Sequence, residues 1–194
     1  MIVGVLLAAG AGARFGGAKL LAPLEDGTPV GVRSARILKG SVDRAVAVVR
    51  ADDAPLAALL RGEGLEVLPF ARASEGMGSS LAHGVSSSPE GDGWIVALAD
   101  MPFVKPETVG AVRRALAAGA PIAAPSFAGR RGHPVGFQRA FYPELVCLSG
   151  DEGARALLTR NSGQIILLEC DDPGAVRDVD TPEDLGAPAR DRDG

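Results

Sequence analysis

The sequence predicts an α/β fold: a mostly parallel sheet covered by helices on both faces, in three layers. Short apolar, β-branched runs alternate with segments whose apolar residues recur every three or four positions. The strand-like runs are continuously apolar, as expected of strands buried on both sides. Of 194 residues, 46% are hydrophobic and only 4% aromatic, so the core must be built from Ala, Val, Leu and Ile. That length suits one domain with a sizeable core. The domain is predicted over 1–185, and the tail "GAPARDRDG" from Gly186 is expected to fray.

Strands are predicted over 2–7, 44–49, 65–68, 94–98, 122–124, 135–138 and 165–168. Helices are predicted between them over 30–39, 54–61, 77–85, 106–118 and 153–159. The first strand opens "MIVGVLLAAGAGA", which has the apolar run and small-residue end of a secretory leader. It lacks a basic start, its cations follow the apolar run, and it is too short to span a bilayer. It therefore reads as the buried first strand of a cytoplasmic protein. Pro106 suits the first turn of its helix, where a missing N–H does no harm. No internal repeat or linker interrupts the alternation.

The formal net charge is -4, and no dense Lys/Arg cluster occurs. Bulk nucleic-acid binding is therefore not expected. Cys147 and Cys170 form no CxxC pair, which argues against a zinc or redox motif and for reduced thiols.

In such a sheet, ligands bind outside the carboxyl ends of the strands. The loop after the first strand is glycine-rich and purely cationic: "LLAAGAGARFGGAKLL", residues 6–21. Lys19 is flanked by Ala18 and Leu20, so this is no Walker A loop. Phe15 stands where a dinucleotide fingerprint needs its third glycine. The physics of those motifs remains. Backbone N–H groups at Gly10, Gly12, Gly16 and Gly17 can surround phosphate oxygens. Arg14 can pair with phosphate bidentately, and Lys19 adds a point charge. The plainer alternative is a tight turn with two solvated cations.

Two acidic motifs stand near other strand ends. Asp100 follows an apolar run in "LADMPFV" (98–104), and a lone carboxylate there suits a hard divalent cation, or caps a turn. Asp178 and Asp180 in "DVDTPEDL" (178–185) are spaced i, i+2, which puts both on one face of an extended segment. Thr181, ahead of Pro182 and three residues before Asp184, reads as the cap of a final helix. In "GMGSSLAHGV" (76–85), Ser79 and Ser80 offer hydroxyls at a helix start; one of them capping that helix is the alternative.

The stretch 6–21 resembles the signature L-A-A-G-x-x-x-R-x-G-x-x-K-L-L of the MobA-like nucleotidyltransferases, most closely the molybdenum cofactor cytidylyltransferases. "GMGSSLAHGV", "LADMPFV", "GHPVGF" (132–137), "GDEGARALL" (150–158) and "DVDTPEDL" agree in order and rough spacing. The resemblance implies a Rossmann-like nucleotidyltransferase fold. It implies transfer of CMP from CTP to the phosphate of molybdopterin, with release of pyrophosphate. It further implies that Arg14, Lys19 and Asp100 are catalytic. The nucleotide site would comprise Leu7, Ala8, Ala9, Gly10, Gly12, Arg14, Lys19, Gly78, Ser79 and Ser80. Asp100 and Asp180 would hold Mg²⁺, with Asp178 their neighbour. His133 and Asp151 would face the acceptor; the cationic rim of Arg130 and Arg131 suits a phosphate, or is simply solvated. A molybdoenzyme or its chaperone would be a transient partner. Ala9, where guanylyl relatives usually carry glycine, is expected to favour a pyrimidine.

The nucleophile would be a phosphate already carrying charge, so no catalytic triad is needed, consistent with a chain of two histidines. The competing readings are a GTP-dependent guanylyltransferase, a transferase for another phosphorylated acceptor, a non-catalytic cofactor carrier, and a nicotinamide oxidoreductase.

Overall fold

The protein is described by a computed structural model covering residues 1–10, 15, 17–151 and 153–185. The predicted tail from 186 lies outside the described residues. In chain order the elements are β1 (Ile2–Ala8), α1 (Val30–Lys39), β2 (Arg44–Arg50), α2 (Ala54–Gly62), β3 (Glu66–Phe70), α3 (Met77–Ser86), β4 (Gly93–Leu98), α4 (Pro106–Ala117), β5 (Ile122–Phe127), β6 (Arg130–Arg131), β7 (Val135–Gln138), α5 (Tyr142–Val146), α6 (Arg155–Arg160) and β8 (Ile165–Glu169).

The strands form one mixed sheet in the order β3-β2-β1-β4-β7-β5-β6, with β8 paired to β5. The pairs of β1 with β2 and β4, of β2 with β3 and of β5 with β8 are parallel. β7 lies antiparallel between β4 and β5. Side chains alternate across the sheet with period two. Leu6 and Ala8 of β1, with Ala45, Ala47 and Val49 of β2, pack under α1, α2 and α4. Val3, Val5, Val46 and Val48 face the other way, toward α3, α5 and α6. The sheet is therefore the middle of three layers. Among the described residues no helix is long and apolar enough to cross a membrane.

The differences from prediction have local causes. β3 runs through Pro69 to Phe70 because β3 pairs only with β2, and an edge strand tolerates a missing donor. β5 and β6 form a hairpin, unforeseen because its turn puts a non-glycine, Ala128 (φ 49°), beside Gly129 (φ 73°). The short helix α5 was also unforeseen. The last predicted helix begins at Arg155 rather than 153, after Gly153 turns the chain at φ 55°.

The order places β1 where the connections reverse. The chain leaves β1 toward β2 and β3, then returns to β4 on the other side. At such a switch point the loops after neighbouring parallel strands diverge and leave a crevice at the carboxyl edge.

Candidate functional site

The crevice is a cleft of about 840 Å³. Leu7, Ala8, Ala9 and Gly10 form its floor at the end of β1, and Lys19 and Asp100 line it together. Gly12 and Arg14 lie outside the described residues.

Asp100 is positioned by backbone. The Ala99 N–H donates to the Leu7 carbonyl at 3.0 Å, which ties the end of β4 to β1. The Ala99 carbonyl accepts from the buried Ser34 hydroxyl of α1 at 2.9 Å. The Asp100 carbonyl accepts the Val179 N–H at 2.8 Å, which brings the C-terminal acidic motif alongside. Val179 is fully buried with Leu24 and Val30. With the middle residue of "DVD" anchored inward, Asp178 and Asp180 both turn toward Asp100. One carboxylate oxygen from each of the three can lie within 4.8 Å of the others.

Lys19 begins a one-turn 3₁₀ helix (Lys19–Leu21) and reaches into this cluster. Its Nζ lies 2.8 Å from Asp100 Oδ2 and 3.4 Å from Asp180 Oδ1. Burial works against the charge of Lys19, but the hydrogen bond and charge of Asp100, followed by those of Asp180, outweigh it. The net effect holds its pKa above the ordinary lysine value. Lys19 therefore stays a cation across the neutral range.

Two further side chains shape the acidic loop. Asp184 accepts from the N–H groups of Asp180 (3.0 Å) and Thr181 (2.8 Å) and from the Thr181 hydroxyl (3.0 Å). This is the returning half of a capping box, and the final helix expected after Thr181 is a 3₁₀ turn (Pro182–Leu185). Those bonds, the Thr181 N–H first, lower its pKa. Asp172 is the buried acid that sequence reasoning missed; it is 1% exposed. Its Oδ2 accepts from Lys105 N at 2.9 Å and Thr108 Oγ1 at 2.5 Å, and its Oδ1 from Gly174 N at 3.0 Å. It fastens the chain after β8 to the start of α4, so that 177–180 runs back beside Asp100. The turn chemistry of "DPG" is legible in sequence, but partners 64 and 67 residues away are not.

The helix-start motif divides. Ser80 lines the cleft with Gly76 and Met77, and its hydroxyl bonds the Gly76 carbonyl at 3.2 Å. Gly78 and Ser79 do not line it. The Gly78 N–H donates to the Gly150 carbonyl at 2.7 Å, and a Cβ there would lie 2.6 Å from Ser149 O. Gly78 therefore permits close approach of the 149–151 loop. Neither serine caps α3: its cap is Gly76, at φ 106°, without a side-chain bond.

The same close approach places Asp151 in the cleft against Gly76, beside the nucleotide stretch. His133 does not line the cleft. It sits next to β4, its Nδ1 buried and without a hydrogen-bond partner among the described residues. Burial pushes its pKa down, the Asp100 charge opposes that, and Arg131 reinforces it. Arg50 and Asp53, not singled out in the sequence, line the cleft at the end of β2. Arg50 is held bidentately by Asp52 at 3.0 and 2.7 Å, and Asp53 caps α2 through Leu56 N.

Known proteins resemble the chain over nearly its whole length. Purine catabolism protein PucB of Bacillus subtilis is 35% identical over 94% of this chain and 93% of its own length. Nicotine blue oxidoreductase of Paenarthrobacter nicotinovorans is 33% identical over 95% and 94%. The crystal structure of Rv0371c from Mycobacterium tuberculosis superposes with a TM-score of 0.83 at 28% identity, covering 94% of both chains. A second Rv0371c structure is a complex with manganese, with a TM-score of 0.78. Residues 4–165 match the model of the MobA-like NTP transferase domain, and this covers most of the sheet and its glycine-rich loop. On that match and those two relatives, the chain belongs to the MobA-like family of nucleotidyltransferases.

Proposed function

We propose that the chain transfers CMP from CTP to the phosphate of a molybdopterin-type acceptor and releases pyrophosphate. The observation that carries the reading is the meeting of Lys19 with Asp100 and Asp180, where Lys19 and Asp100 line the cleft with Gly10 and Gly17. Three converging carboxylates are a donor set that fits a hard divalent cation such as Mg²⁺. Held by Asp100 and Asp180, with Asp178 in reach, that cation would supply charge neutralisation to the triphosphate.

The protein's own part is positioning. Lys19 pairs with phosphate oxygens, and Arg14 is assigned to the same anion by the loop signature. An oxygen of the acceptor phosphate forms a bond to the α-phosphorus of the nucleotide. The bond from that phosphorus to its bridging oxygen breaks, and pyrophosphate leaves with the electron pair. The attacking oxygen is anionic, so no side chain need take a proton. Ala8, Ala9, Gly10 and Ser80 form the walls for the nucleotide, with Gly78 and Ser79 supporting the helix start behind them. Asp151, standing in the cleft, is assigned to the acceptor side, and so is His133, which acts there through the loop that carries it. The Ala9 methyl favours the smaller pyrimidine ring. A molybdoenzyme or its chaperone takes the product.

The experiment is pyrophosphate release with CTP, Mg²⁺ and molybdopterin, in the unaltered protein and in Asp100→Asn. Turnover should fall by at least about a hundredfold in the variant, while its melting curve is retained. Normal turnover in Asp100→Asn refutes the metal assignment. Nicotine blue oxidoreductase marks the competing chemistry. Oxidation of a reduced nicotinamide without pyrophosphate release would replace the transferase reading.

A further inference from the structure

Lys19 and a divalent cation need the same oxygens. The ammonium lies 2.8 Å from Asp100 and 3.4 Å from Asp180, and these two carboxylates belong to the set of three that converge within 4.8 Å. A cation bonded to those carboxylates would stand next to the Lys19 charge and repel it. The lysine is also tightly placed there, with its side chain only 12% exposed.

Lys19 has somewhere else to go. It stands on a single 3₁₀ turn with no buried residue, and a four-carbon stem carries its charge. The same side chain lines the cleft beside Ala9 and Gly10, where phosphate oxygens would lie.

We propose that Lys19 is a latch on the carboxylate cluster: it holds the cluster closed against a divalent cation until a triphosphate draws the ammonium away. The identity of that anion rests on the transferase reading; the closed contact does not. Removing the latch should help the metal on its own and hinder it when nucleotide is present. A lysine that serves only as a structural tie would stay on Asp100 in both conditions. A lysine that serves only as a phosphate ligand would not affect the metal alone.

The test is Mn²⁺ binding by electron paramagnetic resonance, compared at equal free metal. It uses the full chain and Lys19→Met, each without and with an α,β-methylene analogue of CTP. Without the analogue, Lys19→Met should bind Mn²⁺ up to about fivefold more tightly, the scale of losing a partly exposed ion pair. With the analogue, the order should reverse. Lys19→Gln repeats the comparison, and melting curves confirm that both variants are folded. Equal or weaker metal binding by both variants without nucleotide overturns the latch. So does tighter binding by the variants that persists when the analogue is bound. Pyrophosphate release is a separate readout. If the crossing appears but no pyrophosphate is released, the latch stands and the transferase reading falls.

Discussion

Replacing Asp172 by Ala tests how the acidic loop is held. The carboxylate is 1% exposed and receives three donors, Lys105 N, Thr108 Oγ1 and Gly174 N. Alanine removes all three acceptor contacts. The Thr108 hydroxyl loses least, because it can turn to the carbonyl of Lys105 or Val104 just before its helix. The two N–H groups cannot turn, and each buried donor left alone costs about 1–3 kcal/mol. Relief from burying a carboxylate offsets part of that. The expected net loss is about 3 kcal/mol, or a fall in melting temperature of about 6–12 °C for a chain this size. Thr108→Val should cost about 1 kcal/mol, and the double variant less than the sum, because the two groups share one bond. Urea denaturation of the three variants gives these values. Loss of the tie should also weaken Mn²⁺ binding, since 177–180 would no longer be directed at Asp100. A loss below about 1 kcal/mol in Asp172→Ala, with Mn²⁺ binding unchanged, would refute the reasoning.

Gly78→Ala places a methyl 2.6 Å from Ser149 O and 2.9 Å from Gly150 O, so the 149–151 loop must retreat; a loss of about 1–3 kcal/mol is expected by thermal denaturation. Ala9→Gly should raise turnover with GTP relative to CTP by about tenfold, the scale of one methyl in a pocket, and unaltered protein that prefers GTP would contradict the role given to Ala9. Asp43 accepts from the Ile2 N–H at 2.7 Å and pairs with Arg113. The Ile2 bond leads the causes that hold its pKa below 3.8. Its contribution to stability is therefore complete above that value and lost as the pH falls through the lower folded-state value. Asp43→Asn should flatten this part of the acid unfolding curve below a pH of about 4 and leave the curve above pH 5 parallel to that of the unaltered chain.

Much of the architecture was legible because its signals are local. Continuous apolar runs mark strands buried on both sides, so β1, β2 and β4 appear in the sequence nearly as they fold. The i, i+2 spacing of Asp178 and Asp180 already put them on one face, and burial of Val179 on the opposite face is what fixes that face toward Asp100. The antiparallel insertion of β7 was not legible, because an apolar run carries no mark of its direction. Nor was the β5–β6 hairpin, whose turn uses an alanine at positive φ.

By itself the sequence determined which residues carry charge, which runs are apolar and which family signature they spell. The tertiary structure alone decided which charges meet. Lys19 and Asp100 lie 81 positions apart, and Lys19 and Asp180 lie 161 apart. Their encounter depends on β1 and β4 being parallel neighbours, on the bond from Val179 to Asp100 and on the Asp172 tie behind it. The burial of Asp172 and of the His133 Nδ1 belongs to the same class. Propensity and spacing act over a few residues, whereas electrostatic contact is set by distance in space, and only the packed sheet brings those distances down to a few ångströms.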